Sequence, residues 1–85
     1  MNRIEIYTSP MCVFCHRAKS LLNSMNIEYE EISVIAQPSK RREMIERSGA
    51  TSVPQIFSNG KHIGDCERIY ALEAVGELNS ALGIC

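Results

Sequence analysis

The sequence predicts an α/β domain: a four-stranded mixed sheet flanked by three helices, in the order βαβαββα. Three observations point there. Two stretches, 15–25 and 69–82, space their apolar residues by three and four, as a helix with one buried face does. Short runs of β-branched and aromatic residues fall outside them. Asn59-Gly60 separates two such runs, the arrangement of a tight hairpin. The 85 residues are read as a single domain, 1–85, because a chain of this length buries only about 60% of its surface, enough for one small core.

Ile4 and Ile6 open a first strand that stops at Thr8-Ser9-Pro10, where proline has no N–H to give to a ladder. A helix follows at once. Cys15, Ala18, Leu21, Leu22 and Met25 form its inner face, and Arg17, Lys19, Ser20, Asn23 and Ser24 its outer one. Asn26, which tolerates left-handed backbone, ends it. The content of 27–35 predicts the second strand. Pro38 suits the first turn of a second helix, whose narrow inner face is Met44, Ile45 and Ser48 and which Gly49 stops. Lys40, Arg41, Arg42 and Arg47 interleave with Glu43 and Glu46 and read as the solvated face of that helix. Gln55-Ile56-Phe57, the turn Ser58-Asn59-Gly60 and Lys61-His62-Ile63 make the hairpin. Gly64-Asp65 breaks the sheet, and one last helix runs from an Asp65 cap through Ile69, Leu72, Ala74, Val75, Leu78 and Leu82. The first two strands are expected to be parallel with a right-handed crossover, and the last two antiparallel. Ile56, Phe57 and Tyr70 are expected in the core.

Nine Lys plus Arg against ten Asp plus Glu leave a net charge of −1, so there is no cation excess to displace phosphate counterions, and no nucleic-acid partner is expected. No apolar run suits a signal peptide or reaches the ~18 residues of a membrane span, so the expected place is the cytoplasm, without membrane association. In that reducing compartment Cys12, Cys15, Cys66 and Cys85 do not read as a disulfide framework; a close pair there is catalytic or metal-binding.

Cys12-Val13-Phe14-Cys15 follows a strand directly and opens the best-defined helix, the setting of a redox dithiol. Cys12 is expected at the exposed amino end, where unpaired N–H groups face it, with Cys15 one turn below. An ordinary thiol is only about 3% thiolate at pH 7. The helix dipole contributes about 0.3 to 1 kcal/mol toward the anion. Most of the stabilisation must therefore come from direct donation by backbone N–H and the Cys15 S–H, with Arg17 and Lys19 adding a smaller, salt-screened share. Two other readings of the pair remain: half a zinc site completed from Cys66, Cys85, His16 or His62, and a merely buried pair of small side chains.

With Cys12-Val13-Phe14-Cys15, Thr51-Ser52-Val53-Pro54-Gln55-Ile56-Phe57 and Gly64-Asp65-Cys66 at these places, the chain resembles a glutaredoxin of the dithiol class along essentially its whole length. The resemblance implies a thioredoxin-like fold and the reduction of protein disulfides and glutathione mixed disulfides. Glutathione is then the co-substrate, disulfide-containing or glutathionylated proteins are the partners, and no cofactor or metal is held permanently. It makes Cys12 the nucleophile and Cys15 the resolving thiol. It makes Pro54 a cis proline that turns the Val53 backbone toward Cys12, and it implies that Phe14, Ser52, Val53, Pro54, Gly64, Asp65, Cys66 and Glu67 contact glutathione. The N–H groups of Cys66 and Glu67 would take its γ-glutamyl carboxylate.

The sequence departs from the family pattern at Asp65, where glycine is usual, and at Arg68, where an acid is expected to meet the glutamyl ammonium. Ser9 stands in place of a usual lysine for the glycine-end carboxylate, with Arg17, Gln37 and Lys40 as replacements to consider. Two further functions fit the same residues: a dimer holding a [2Fe–2S] cluster, and a disulfide reductase served by thioredoxin reductase. The missing tryptophan before Cys12 argues against the latter, and the presence of Cys15 without a Cys-Gly-Phe-Ser motif against the former. A monomer is expected. His16 reads as a surface histidine, Cys66 as a buried small residue or secondary thiol, and Cys85 as inert.

Overall fold

The computed structural model describes residues 3–84, so Cys85 lies outside it. Its elements are β1 (Ile4–Thr8), α1 (Val13–Ser24), β2 (Glu30–Ser33), α2 (Pro38–Ser48), β3 (Gln55–Ser58), β4 (Lys61–Gly64), α3 (Cys66–Ala74) and α4 (Leu78–Ala81). The sheet order is β2-β1-β3-β4. β1 and β2 are parallel, with Thr8 opposite Ser33; β1 and β3 are antiparallel, with Ile6 opposite Ile56; β3 and β4 form the antiparallel hairpin.

Side chains alternate across a strand, and every residue of β1 is buried, so both faces of the sheet are covered. Ile4 and Ile6 point to a cluster with Ala18, Leu22, Ile56, Ile69, Leu78 and Leu82. Tyr7 points the other way, to Ile32, Val34, Met44 and Phe57. The expected single core is therefore two clusters divided by one sheet.

Helix ends explain where the elements stop. At the end of α1 the Asn26 N–H donates to the Asn23 carbonyl and the Ile27 N–H to the Leu22 carbonyl, with Asn26 at φ 57, a Schellman closure. Ile27 and Leu22 share the larger core cluster, so this turn is also packed. Ile27 consequently closes the helix instead of starting β2, which begins at Glu30. Ile35, expected in that strand, is 61% exposed.

The same closure divides the expected last helix into two. Gly76, at φ 73, donates to the Glu73 carbonyl, and the Glu77 N–H donates to that of Leu72. Val75, placed on the apolar face by its spacing, is 65% exposed as a result. Tyr70 is only partly buried, because its hydroxyl donates to the Arg17 carbonyl at 3.0 Å across the α1–α3 boundary.

Arg47 is not on the solvated face of α2. It lies half-buried over the sheet, 4.1 Å from the Phe57 ring centroid, and its guanidinium donates to the Tyr7 hydroxyl at 2.6 Å and to Glu5 at 3.1 Å. Arg41 and Arg42 are exposed as expected, and Lys40 pairs with Glu43 at 2.9 Å.

Candidate active site

Cys12 is the N-cap residue of α1, with extended backbone, and its Sγ accepts the Cys15 N–H at 3.0 Å. The side-chain sulfur thus takes the place that a serine or aspartate oxygen usually fills at this position. On its other side the thiol faces the Val53 carbonyl oxygen, 3.7 Å away. The Val53–Pro54 bond is cis, as the resemblance implies. Cys12 is half-exposed, whereas Cys15 is buried, and both are free thiols, as is Cys66.

Burial pushes the Cys15 thiol up to about 12, and the hydrogen bond it makes with the Cys12 sulfur adds to the shift. Cys15 is therefore a neutral S–H donor toward its neighbour at ordinary pH. Lys19, counted as a contributor to the dithiol field, is held by Glu31 at 2.9 Å and lowers the Cys15 thiol only as a minor influence. Arg17 turns toward α3 instead, where its charge acts on Cys66.

Beside Cys12 lies a groove of about 300 Å³ lined by Phe14, Ser52, Val53, Pro54, Asp65, Cys66 and Glu67. The fold thus brings together residues from α1, the loop before β3 and the start of α3. Seven of the eight residues expected to contact glutathione line it; Gly64 is set back. At φ 145 Gly64 adopts a backbone that side chains rarely take, and a Cβ there would stand 2.6 Å from Cβ and Cγ of Arg68. Its part is to let the Arg68 stem pass.

Asp65 caps α3 by accepting the Arg68 N–H at 2.9 Å, and its side chain is exposed. That leaves the N–H groups of Cys66 and Glu67, the first two of the helix, without an acceptor among the described residues. Burial pushes the Cys66 thiol up, which suits a packed residue more than a second nucleophile. His16 is exposed on the outer side of α1, and His62 is engaged with Gln55 at 2.7 Å. Among the described residues no group of three His, Cys, Asp or Glu side chains gathers in a way that would hold a metal ion. No helix among them is long and apolar enough to cross a membrane.

Sequence reasoning did not foresee a smaller recess continuing from this groove, about 240 Å³, lined by Phe14, Arg17, Cys66, Glu67 and Tyr70. Arg17 stands three residues after Phe14, so the helix repeat places both on one side, but the approach of Tyr70 from α3 is not a local feature.

Comparison with known proteins agrees with this geometry. The family model described as Glutaredoxin matches residues 4–63. Glutaredoxin 3 of Escherichia coli (strain K12) is 49% identical over 82 residues, which cover 96% of this chain and 99% of that protein. The solution structure of glutaredoxin from Brucella melitensis is similar with a TM-score of 0.82 at 45% identity, covering 98% of this chain and 92% of that one. The crystal structure of a buckwheat glutaredoxin–glutathione complex is similar with a TM-score of 0.86 at 25% identity, covering 96% of this chain and 77% of that one. The mixed sheet and its helices are those of the thioredoxin-like fold found in these neighbours. Matched in sequence and in architecture, the chain belongs to the glutaredoxin family.

Proposed function

We propose that the chain is a glutathione-dependent thiol–disulfide oxidoreductase that reduces protein disulfides and glutathione mixed disulfides through Cys12 and Cys15. The carrying observation is the half-exposed Cys12 sulfur, which accepts an amide N–H at the head of α1 beside a buried second thiol and opens on the groove. A relative solved with glutathione supports that tripeptide as the ligand. Phe14, Ser52, Val53, Pro54, Asp65, Cys66 and Glu67 hold it, with Gly64 shaping the turn behind them, and the Val53 backbone offers an edge to its cysteinyl residue.

In the monothiol route the Cys12 thiolate attacks the glutathione sulfur of a mixed disulfide. The old S–S bond breaks, the protein thiolate leaves and takes up a proton, and Cys12 carries the glutathione. The thiolate of a second glutathione then attacks the sulfur of the first, releasing oxidised glutathione and restoring the Cys12 thiolate. In the dithiol route Cys12 attacks a protein disulfide and becomes joined to the protein. Cys15 loses its proton, attacks Cys12 Sγ and expels the second protein thiol, leaving a Cys12–Cys15 disulfide that two glutathiones reduce. Cys15 is held as a thiol partly by the Cys12 sulfur, so consuming that sulfur's charge removes one cause of the upward shift just when Cys15 must ionise. The enzyme works as a monomer in a reducing compartment, the cytoplasm, on glutathione and oxidised proteins, with no permanent cofactor.

The test is a glutathione-coupled assay on a small mixed disulfide with wild type, Cys12→Ser and Cys15→Ser. Cys12→Ser is expected to lose activity and Cys15→Ser to keep it, while reduction of a protein disulfide fails in both. Activity surviving in Cys12→Ser overturns the assignment.

A further inference from the structure

We propose that Met11 and Val13 form an apolar docking surface for the protein half of the substrate, a segment with aliphatic side chains beside its oxidised cysteine. This rests on the glutathione reading above, since it seats the second partner of the same reaction.

Large apolar side chains exposed to water are ordinary when they stand singly, and Val75, at the end of α3, is one of these. Around Cys12 they are not single. Met11 is 94% exposed and Val13 69%, so the residues on either side of the nucleophile both carry apolar surface into solvent. Ile35 is exposed as well and leaves the sheet at the same end. The Val34 N–H before it donates to the Thr8 carbonyl at 2.9 Å, and from Thr8 the chain runs on to Cys12.

Nothing within the fold accounts for this exposure. Neither Met11 nor Val13 packs against either apolar cluster. A residue before a helix cap commonly packs on the fourth helical position, but here that position is the exposed His16. The cap itself is supplied by Cys12 Sγ, which accepts the Cys15 N–H, and needs no apolar neighbour. The groove does not use the two residues either. Its only wall from α1 is Phe14, and the rest comes from the loop before β3 and the start of α3. Met11 and Val13 are thus apolar surface beside the reacting sulfur, continuous with the groove but outside it.

The reaction supplies the occupant. When glutathione of a mixed disulfide fills the groove, the leaving sulfur of the protein stands one S–S bond, about 2 Å, from the glutathione sulfur. Residues next to that cysteine then lie against what surrounds Cys12 outside the groove. Aliphatic side chains there leave water together with Met11 and Val13, whereas polar ones gain nothing by the contact. Methionine suits a surface that meets many sequences, because its unbranched side chain repacks against each.

The experiment uses the full chain carrying Cys15→Ser and two glutathionylated peptides of equal length, one with leucine on each side of its cysteine and one with serine. The mixed disulfide of glutathione and mercaptoethanol, which has no flanking residues, is the third substrate. Release of the free thiol gives kcat/KM for each. The parent is expected to favour the leucine peptide over the serine peptide about tenfold. Adding Met11→Gln and Val13→Thr, which keep side-chain size, is expected to cut that preference below about twofold and to leave the serine peptide and the small disulfide unchanged. Met11→Leu, which keeps the apolar surface, is expected to retain it. No preference in the parent, or the same preference after both substitutions, overturns the docking surface. An equal loss on all three substrates overturns it too, because it ties Met11 and Val13 to the reactivity of Cys12. So does a dimer in sedimentation that the two substitutions dissolve, since a second copy then covers the patch. A parent that does not turn over the small disulfide removes the glutathione reading, whereas turnover without a leucine preference removes the docking surface alone.

Discussion

Three positions apart on one helical turn, Cys12 and Cys15 stand in opposite environments, and that difference divides the chemistry between them. Cys12 takes an N–H at 3.0 Å and meets solvent, while Cys15 lies under it, 1% exposed. A thiol shifted to about 12 is less than about one part in a thousand thiolate at pH 8. In Cys12→Ser, alkylation of the native protein at pH 8 is thus expected to label Cys15 and Cys66 at least about tenfold more slowly than Cys12 is labelled in Cys15→Ser. Peptide mass spectrometry reads the rates, and equal labelling would contradict the division of roles. The CxxC spacing and the helix start made this pair legible in the sequence. Arg17 was legible as a nearby cation and as a candidate for the glycine-end carboxylate, but not as the wall of a recess, because its partner ring, Tyr70, comes from 53 residues away.

Helices here end where a residue able to adopt positive φ lets the chain close back on its own carbonyls. Asn26 and Gly49 were legible as stops because apolar spacing ends with them. Gly76 was not, because Val75, Leu78 and Leu82 continue the three- and four-residue spacing through it. The left-handed backbone there outweighed the pattern, and the two pieces bury Ile69 and Leu78 separately. Glycines at two element ends allow a comparison. A Cβ at Gly76 meets nothing within 4 Å, so Gly76→Ala costs the backbone preference alone, about 1 kcal/mol. Gly64→Ala adds a collision with the Arg68 stem and is expected to cost more, about 2 to 3 kcal/mol. Urea unfolding of both variants checks the ranking; a smaller loss at Gly64 would refute it.

Across the whole molecule, the sheet is covered on both sides by different means. The α1, α3 and α4 side is apolar, while on the other side α2 is held by Met44 and by Arg47 stacked on Phe57. Glu5 is only 7% exposed, and its other cation, the exposed Arg3, stands 3.6 Å away, so removing Arg47 leaves a buried carboxylate with one long, solvated partner. Arg47→Met is expected to lower stability by about 2 kcal/mol, and Glu5→Gln in that background to restore part of it. Thermal unfolding measures both, and an unchanged midpoint in Arg47→Met would remove the argument. The dependence on pH follows from groups shifted in opposite directions. Lys19 holds Glu31 low and Lys40 holds Glu43 low, so their contribution is present above the ordinary carboxylate range and is lost as pH falls through their folded values. Burial holds Cys15 and Cys66 high, so theirs is present below the ordinary thiol range and is lost as pH rises from there through their raised folded values, about 12 for Cys15. Stability is expected to be level between about pH 5 and 8 and to fall on either side. Urea midpoints from pH 3 to 10 test this, and a continuous rise to pH 10 would contradict it.

Local chemistry by itself determined the order of strands and helices, the hairpin at Asn59-Gly60, the Asp65 cap and the dithiol at the head of α1. Each depends on residues within a turn or two of one another, whose backbone preferences and spacing are written in sequence order. Only the tertiary structure decided that Arg47 turns inward, that Tyr70 stands at the rim of a recess, and that Val53 faces Cys12. Those outcomes bring together residues 40 or more positions apart, and the alternation of side chains across β1 and the packing of α1 against α3 select them. No local pattern specifies which distant group fills the space opposite a given side chain.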